Sequence, residues 1–147
     1  MRVLVSACLL GMPCRYDAKG KASQAVIDLN YDWVPVCPEV AGGLGTPREP
    51  AEIVDGLVKT IDGKDVTREF ILGAEEALRL VAKHHIETAI LKARSPSCGS
   101  GEIYDGSFSS RLRPGDGVTA AILKQAGVTV LSEEEIDGHM DRSSQSR

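Results

Sequence analysis

No Cys-x-x-Cys pair occurs in the 147 residues, although the chain carries four cysteines, Cys8, Cys14, Cys37 and Cys98. Their spacing excludes the paired knuckles of a zinc ribbon and the dithiol of a thioredoxin-like redox site. Aromatic residues are scarce at 4%, so any stacking on a base must rely on few rings. A formal charge of -4 and a pI near 5.4 leave no excess of cations for an extended nucleic-acid face. No apolar run approaches the length of a bilayer span, and no internal repeat or domain linker is visible. Met1-Arg2 leads straight into a short apolar run with Gly11 and Pro13 close behind, which is not a signal-peptide pattern. The expected compartment is the cytoplasm, whose reducing cytosol keeps cysteines free, catalytic or metal-bound.

What is present reads as one domain over 1–136 followed by a polar tail over 137–147. Residues 2 to 7 are nearly all apolar, as in a central parallel strand covered on both faces. Ser23 can cap a short helix through Leu29, with Ala22, Ala25, Val26 and Leu29 toward the core. Tyr31 to Cys37 is the next strand, and Pro35 directs it to an edge. Pro38 to Pro50 holds too many breakers for a regular element and reads as a long shaped loop. Ala51 to Ile61 suggests short strands or a hairpin, with a turn at Asp62-Gly63. Val66 to Ile86 is the clearest helix, burying Phe70, Ala74, Ala77, Leu78 and Val81. A strand from Thr88 to Lys92, a turn over Ile103 to Phe108 and a polar, mobile stretch from Arg111 to Asp116 come next. A helix over Val118 to Gln125 stops at Gly127, and Val128 to Leu131 makes the last strand. The fold class is α/β: a Rossmann-like open sheet with mainly parallel central strands and helices on both faces.

Three of the cysteines share a design. Val3-Leu4-Val5-Ser6-Ala7 runs into Cys8, Trp33-Val34-Pro35-Val36 into Cys37, and Thr88-Ala89-Ile90-Leu91 into a loop of small residues holding Cys98. In an open parallel sheet, ligands bind outside the carboxyl ends of the strands, so three strand-end thiols can converge although remote in sequence. Inert buried thiols are the plain alternative for any one of them. Three together point to a thiolate metal site, and without zinc spacing to an iron–sulfur cluster. A four-iron cluster with only three protein ligands keeps one open iron, a Lewis acid able to bind a substrate sulfur.

At these residues the sequence resembles the thiouracil desulfidase family. The matching stretches are Ser6-Ala7-Cys8-Leu9-Leu10-Gly11 with Arg15-Tyr16-Asp17, Pro35-Val36-Cys37-Pro38-Glu39 with Gly42-Gly43-Leu44 and Thr46-Pro47-Arg48, Ser95-Pro96-Ser97-Cys98-Gly99 with Ile103-Tyr104-Asp105-Gly106, and Gly117-Val118-Thr119-Ala120. They span almost the whole chain in order. Ala18 stands where the family has glycine after Arg-Tyr-Asp. The resemblance implies a [4Fe-4S] cluster on Cys8, Cys37 and Cys98, with Cys14 not a ligand and Glu39 and Ser95 near the substrate. It implies removal of sulfur from a thiolated pyrimidine, 2-thiouracil or a close relative, giving uracil and hydrogen sulfide without net electron transfer.

Glu39 can act as the base for water or can pair with Arg48. Ser95 can donate to the departing sulfur or form an ordinary turn. Arg15 and Asp17 can order their loop or touch substrate. Tyr104 and Asp105 fit a buried turn as well as a pocket wall. His84 and His85 suit the negative end of the long helix and are read as structural, and His139 falls in the tail. Two other functions stay open: a non-catalytic electron carrier or redox sensor, and a desulfidase acting on thiolated tRNA, which the acidic balance disfavours.

Overall fold

The apolar runs over 3–6 and 89–91 form strands that are buried on both sides, and this fixes where their ends must lie. The computed structural model describes residues 2–136. In chain order the elements are β1 (Arg2–Ser6), a 3-10 helix (Ala7–Leu10), α1 (Gln24–Leu29), β2 (Asp32–Val36), α2 (Pro38–Ala41), β3 (Ala51–Val54), β4 (Leu57–Thr60), α3 (Thr67–His84), β5 (Thr88–Leu91), β6 (Glu102–Tyr104), β7 (Leu112–Pro114), α4 (Val118–Gln125) and β8 (Thr129–Ser132). Strands β2, β1, β5 and β8 lie in that order in one parallel sheet. Residues alternate across it: Leu4, Ala89, Leu91 and Val130 pack under α3 and α4, while Val3, Val5, Ile90 and Leu131 pack with Val26 of α1 and Ile136 on the other face. Helices on both faces are what a continuous apolar strand requires. Among the described residues no helix is long and apolar enough to cross a membrane.

The long helix buries Phe70, Ala74 and Ala77, with Leu78 and Val81 packed beside them, as the 3.6-residue spacing predicts. Ser23 caps α1 by accepting from the Val26 N–H at 3.3 Å, and Pro35 does fall on the edge strand β2. Other expectations are corrected. Ala22 and Ala25 are exposed, leaving Val26 as the buried residue of α1. The stretch after Cys37 opens with the single turn α2, because Pro38 supplies a preset φ at its first position. The hairpin β3–β4 turns at Asp55-Gly56, both at positive φ, rather than at Asp62-Gly63, which closes a second turn between Thr60 and Lys64. The polar stretch after Arg111 contains β7, paired antiparallel with β6. The tail assigned to 137–147, with His139, lies outside the described residues. His84 lies at the far end of α3, where its Nδ1 meets Arg2 at 2.8 Å, at the amino-terminal edge of the sheet.

Candidate metal centre

Strands β1 and β5 are neighbours whose onward connections lead to opposite sides of the sheet, so a crevice opens beyond their carboxyl ends. A cavity of about 330 Å³ occupies that place, and Cys8, Cys14, Cys37 and Cys98 all line it. So do Glu39 and Ser95. The residues singled out from the sequence therefore meet at one end of the sheet. Among the described residues no three His, Cys, Asp or Glu side chains stand within reach of one metal ion.

Each thiol is delivered by a different local device. Cys8 sits in the 3-10 helix that continues β1, a correction to the loop expected there, and Gly11 stops this helix at φ 96 with its N–H on the Cys8 carbonyl at 3.0 Å. Cys37 is the residue before α2, and α2 lies tight against α3. A Cβ on Gly42 would stand 1.8 Å from the Glu69 carbonyl oxygen, and one on Gly73 1.8 Å from that of Pro38. Both positions therefore demand glycine. Cys98 rides on a loop fastened to the start of α4: Val118 N–H donates to the Pro96 carbonyl at 2.8 Å and Thr119 N–H to that of Ser97 at 2.9 Å. Ser97 and Thr119 also share a buried hydroxyl pair at 2.9 Å. The loop thus satisfies N–H groups that the helix leaves unpaired.

Ser95 Oγ accepts from the backbone N–H groups of Ser97, at 3.1 Å, and Cys98, at 2.7 Å. Both are main-chain donors, so the Ser95 hydroxyl proton remains available to the cavity. Glu39 forms the ion pair that its sequence neighbourhood suggests: Arg48 Nε donates to its Oε1 at 3.3 Å. Arg48 also reaches the carbonyls of Gly45 at 3.0 Å and Cys14 at 3.1 Å, binding three parts of the wall together. Burial pushes the Glu39 carboxyl up, and Arg48 only partly offsets it.

Burial, then the neighbouring Cys37, pushes the Cys8 thiol up to about 11, and burial pushes Cys98 up to about 12 against a hydrogen bond from Ser6. Cys37 Sγ–H donates to the Cys14 carbonyl at 3.5 Å, and the two neighbouring thiols act on each other, the Cys37 thiol being lowered and that of Cys14 raised. Crowded thiols of this kind cannot all ionise unless a cation joins them, and a metal core would replace their protons. As a soft, all-sulfur donor set in a crevice, they fit an iron–sulfur cluster.

The wall holds further residues that no sequence motif marks as functional. Ser6 Oγ accepts from the Lys92 N–H at 2.9 Å beside Cys98. Lys92, also on the wall, pairs with Glu133 at 3.1 Å, and Glu133 accepts from the Ala93 N–H at 2.8 Å. Their position just at or beyond the ends of β1, β5 and β8 was the available signal. Arg15 and Asp17 stand 3.9 Å apart, and Asp17 accepts from the Lys19 N–H at 3.1 Å, which orders their loop. Ala18 follows at φ 62, the left-handed conformation that a glycine would adopt more cheaply. Arg15 and Tyr104 line the cavity as well; Asp105 instead accepts from Ser107 in a turn.

The 2-thiouracil desulfurase family model matches residues 3–135. An uncharacterized protein of Bacillus subtilis (strain 168), YbbK, is 44% identical, covering 92% of this chain and 97% of that protein. A solved structure described as a [4Fe-4S]-dependent thiouracil desulfidase, TudS, is 45% identical and superposes with a TM-score of 0.90 over 98% of each chain. The strand-end thiols, the carboxylate among them and these likenesses agree: the chain belongs to the 2-thiouracil desulfurase family of enzymes.

Proposed function

We propose that Cys8, Cys37 and Cys98 hold a [4Fe-4S] cluster and that the enzyme converts a free thiolated pyrimidine, 2-thiouracil or a close relative, into uracil and hydrogen sulfide. The observation that carries this reading is the meeting of three strand-end thiols with the Glu39 carboxylate around one cavity. Bound there, the cluster supplies an iron without a protein ligand, a Lewis acid for the thiocarbonyl sulfur. Glu39 takes the proton of the water that adds to the ring carbon, and Arg48 fixes the direction in which its carboxylate points. Ser95, held by the two amides it accepts from, turns its hydroxyl proton toward the departing sulfur. Water supplies the oxygen that replaces sulfur, so no electron donor is required. Cys14 stays outside the ligand set, keeping its thiol against Cys37 and its carbonyl on Arg48. Four free thiols are consistent with a cytosolic enzyme.

The test is anaerobic reconstitution with iron and sulfide, followed by incubation with 2-thiouracil and 4-thiouracil without reductant. Uracil and sulfide are expected in equal amounts. Iron and acid-labile sulfide counts on the same samples are expected to collapse in C8S, C37S and C98S and to hold in C14S. A cluster that cycles reversibly between oxidation states while thiouracil stays intact would make the protein an electron carrier and overturn the reading.

A further inference from the structure

Glu52, on β3, is a carboxylate only 9% exposed, and its Oε1 accepts two backbone N–H bonds, from Gly106 at 2.9 Å and Phe108 at 3.1 Å. Those residues belong to the turn between β6 and β7, and three positions of that turn lie at positive φ: Gly106 at 94°, Phe108 at 56° and Ser110 at 64°. At Gly106 the turn presses on the hairpin so closely that a Cβ would stand 2.7 Å from the Ile53 carbonyl oxygen. A left-handed conformation at a bulky aromatic residue is an outlier, and such conformations cluster where a site requires a fixed side chain. Here it lies on the wall of the cavity, which Phe108 and Glu52 both line.

Only six aromatic residues occur in the chain, and three of them, Tyr16, Tyr104 and Phe108, border this cavity. Tyr16 already carries the Arg15 guanidinium 5.7 Å over its ring. Among the described residues Phe108 has neither a ring partner nor a cation on its face. A planar base has two polar edges and two apolar faces, and an aromatic face is what covers the latter.

On the reading that the substrate is a thiolated pyrimidine, we infer that Phe108 is the ring against which the base stacks, and that Glu52 is the positioning residue that holds Phe108 there. The carboxylate gathers the two N–H groups on one oxygen, and this keeps the main chain in the conformation that turns the ring to the cavity. Neither residue touches the cysteines in this role, so cluster loading is expected to be unaltered in their variants.

The experiment compares reconstituted wild type, F108A, F108Y, E52A and E52Q by steady-state turnover of 2-thiouracil, and by NMR-detected exchange of the Gly106 and Phe108 amides. F108A is expected to raise KM about tenfold while kcat stays within about twofold, with F108Y close to wild type. E52A is expected to raise KM in the same way and to speed exchange at both amides; E52Q keeps an acceptor oxygen and is expected to restore both. Wild-type KM in F108A overturns the stacking role, and wild-type KM or unchanged amide exchange in E52A overturns the positioning role. A wild type that releases no sulfide from any thiobase overturns the desulfidase reading and this inference with it, whereas the first two results overturn the inference alone.

Discussion

Glu39 answers two demands with one side chain, pairing with Arg48 while facing the cavity. The two roles weighed for it from sequence are compatible, because Arg48 occupies Oε1 and leaves the second oxygen for a water. Replacing Glu39 by Ala is expected to lower uracil formation by about 10²-fold or more, with the visible absorption of the cluster and the iron count unchanged. Loss of iron from that variant would instead assign Glu39 a structural role. Arg48 keeps two carbonyl acceptors in the variant, so the wall has reason to survive. Apolar runs that end in small, breaking residues made Cys8, Cys37 and Cys98 legible as candidates, and the family resemblance added Glu39 and Ser95. Ser6, Lys92, Glu52 and Phe108 were not singled out, because nothing in a single serine, lysine or glutamate of a linear chain says that it faces a cavity.

At the scale of elements, the placement of Cys37 depends on how closely α2 rests on α3. Gly73 faces the Pro38 carbonyl, so G73A must push the two helices apart. Its expected cost is about 3 kcal/mol, read by chemical denaturation, with a fall in the iron bound on reconstitution. A variant as stable as wild type would show that the helices can separate without penalty. The loop after Cys98 is tied to α4 by Asp116, whose Oδ1 accepts from the Gly101 N–H and from Lys124 Nζ, each at 2.8 Å. Partial burial raises that carboxyl, but the Lys124 and Gly101 hydrogen bonds outweigh it and hold the group below the usual range. The folded pKa is the lower one, so the contribution is fully present above the unfolded value of about 3.9 and is lost as pH falls through the folded value. D116N is therefore expected to show a shallower loss of stability in that acid window; matching slopes for the two proteins would refute it. Element types were largely readable from periodicity, but the hairpin turn was misplaced. Asp55-Gly56 and Asp62-Gly63 obey the same local rule, and only the packing of Val58 against Val66 and Phe70 selects between them.

The molecule as a whole carries a charge of -4 and encloses its thiols in one cavity of about 330 Å³, which suits a free base better than a polyanion. Its KM for 2-thiouracil is expected to change by less than about twofold between about 50 and 200 mM salt, where a surface neutralising several phosphates would lose roughly a thousandfold in affinity. A steep salt dependence, together with sulfide release from thiolated tRNA, would shift the substrate to nucleic acid. The sequence by itself determined the α/β class, the run of strands buried on both faces, the long helix, and the set of thiols at strand ends, because periodicity and breaker residues are local properties. Only the tertiary structure decided that those thiols share a cavity with Glu39, Arg48, Lys92 and the strained turn at Phe108. Strand order is not written in any one segment: it follows from which apolar faces bury one another, and here it set β1 between β2 and β5 and so brought residues 8, 37 and 98 together.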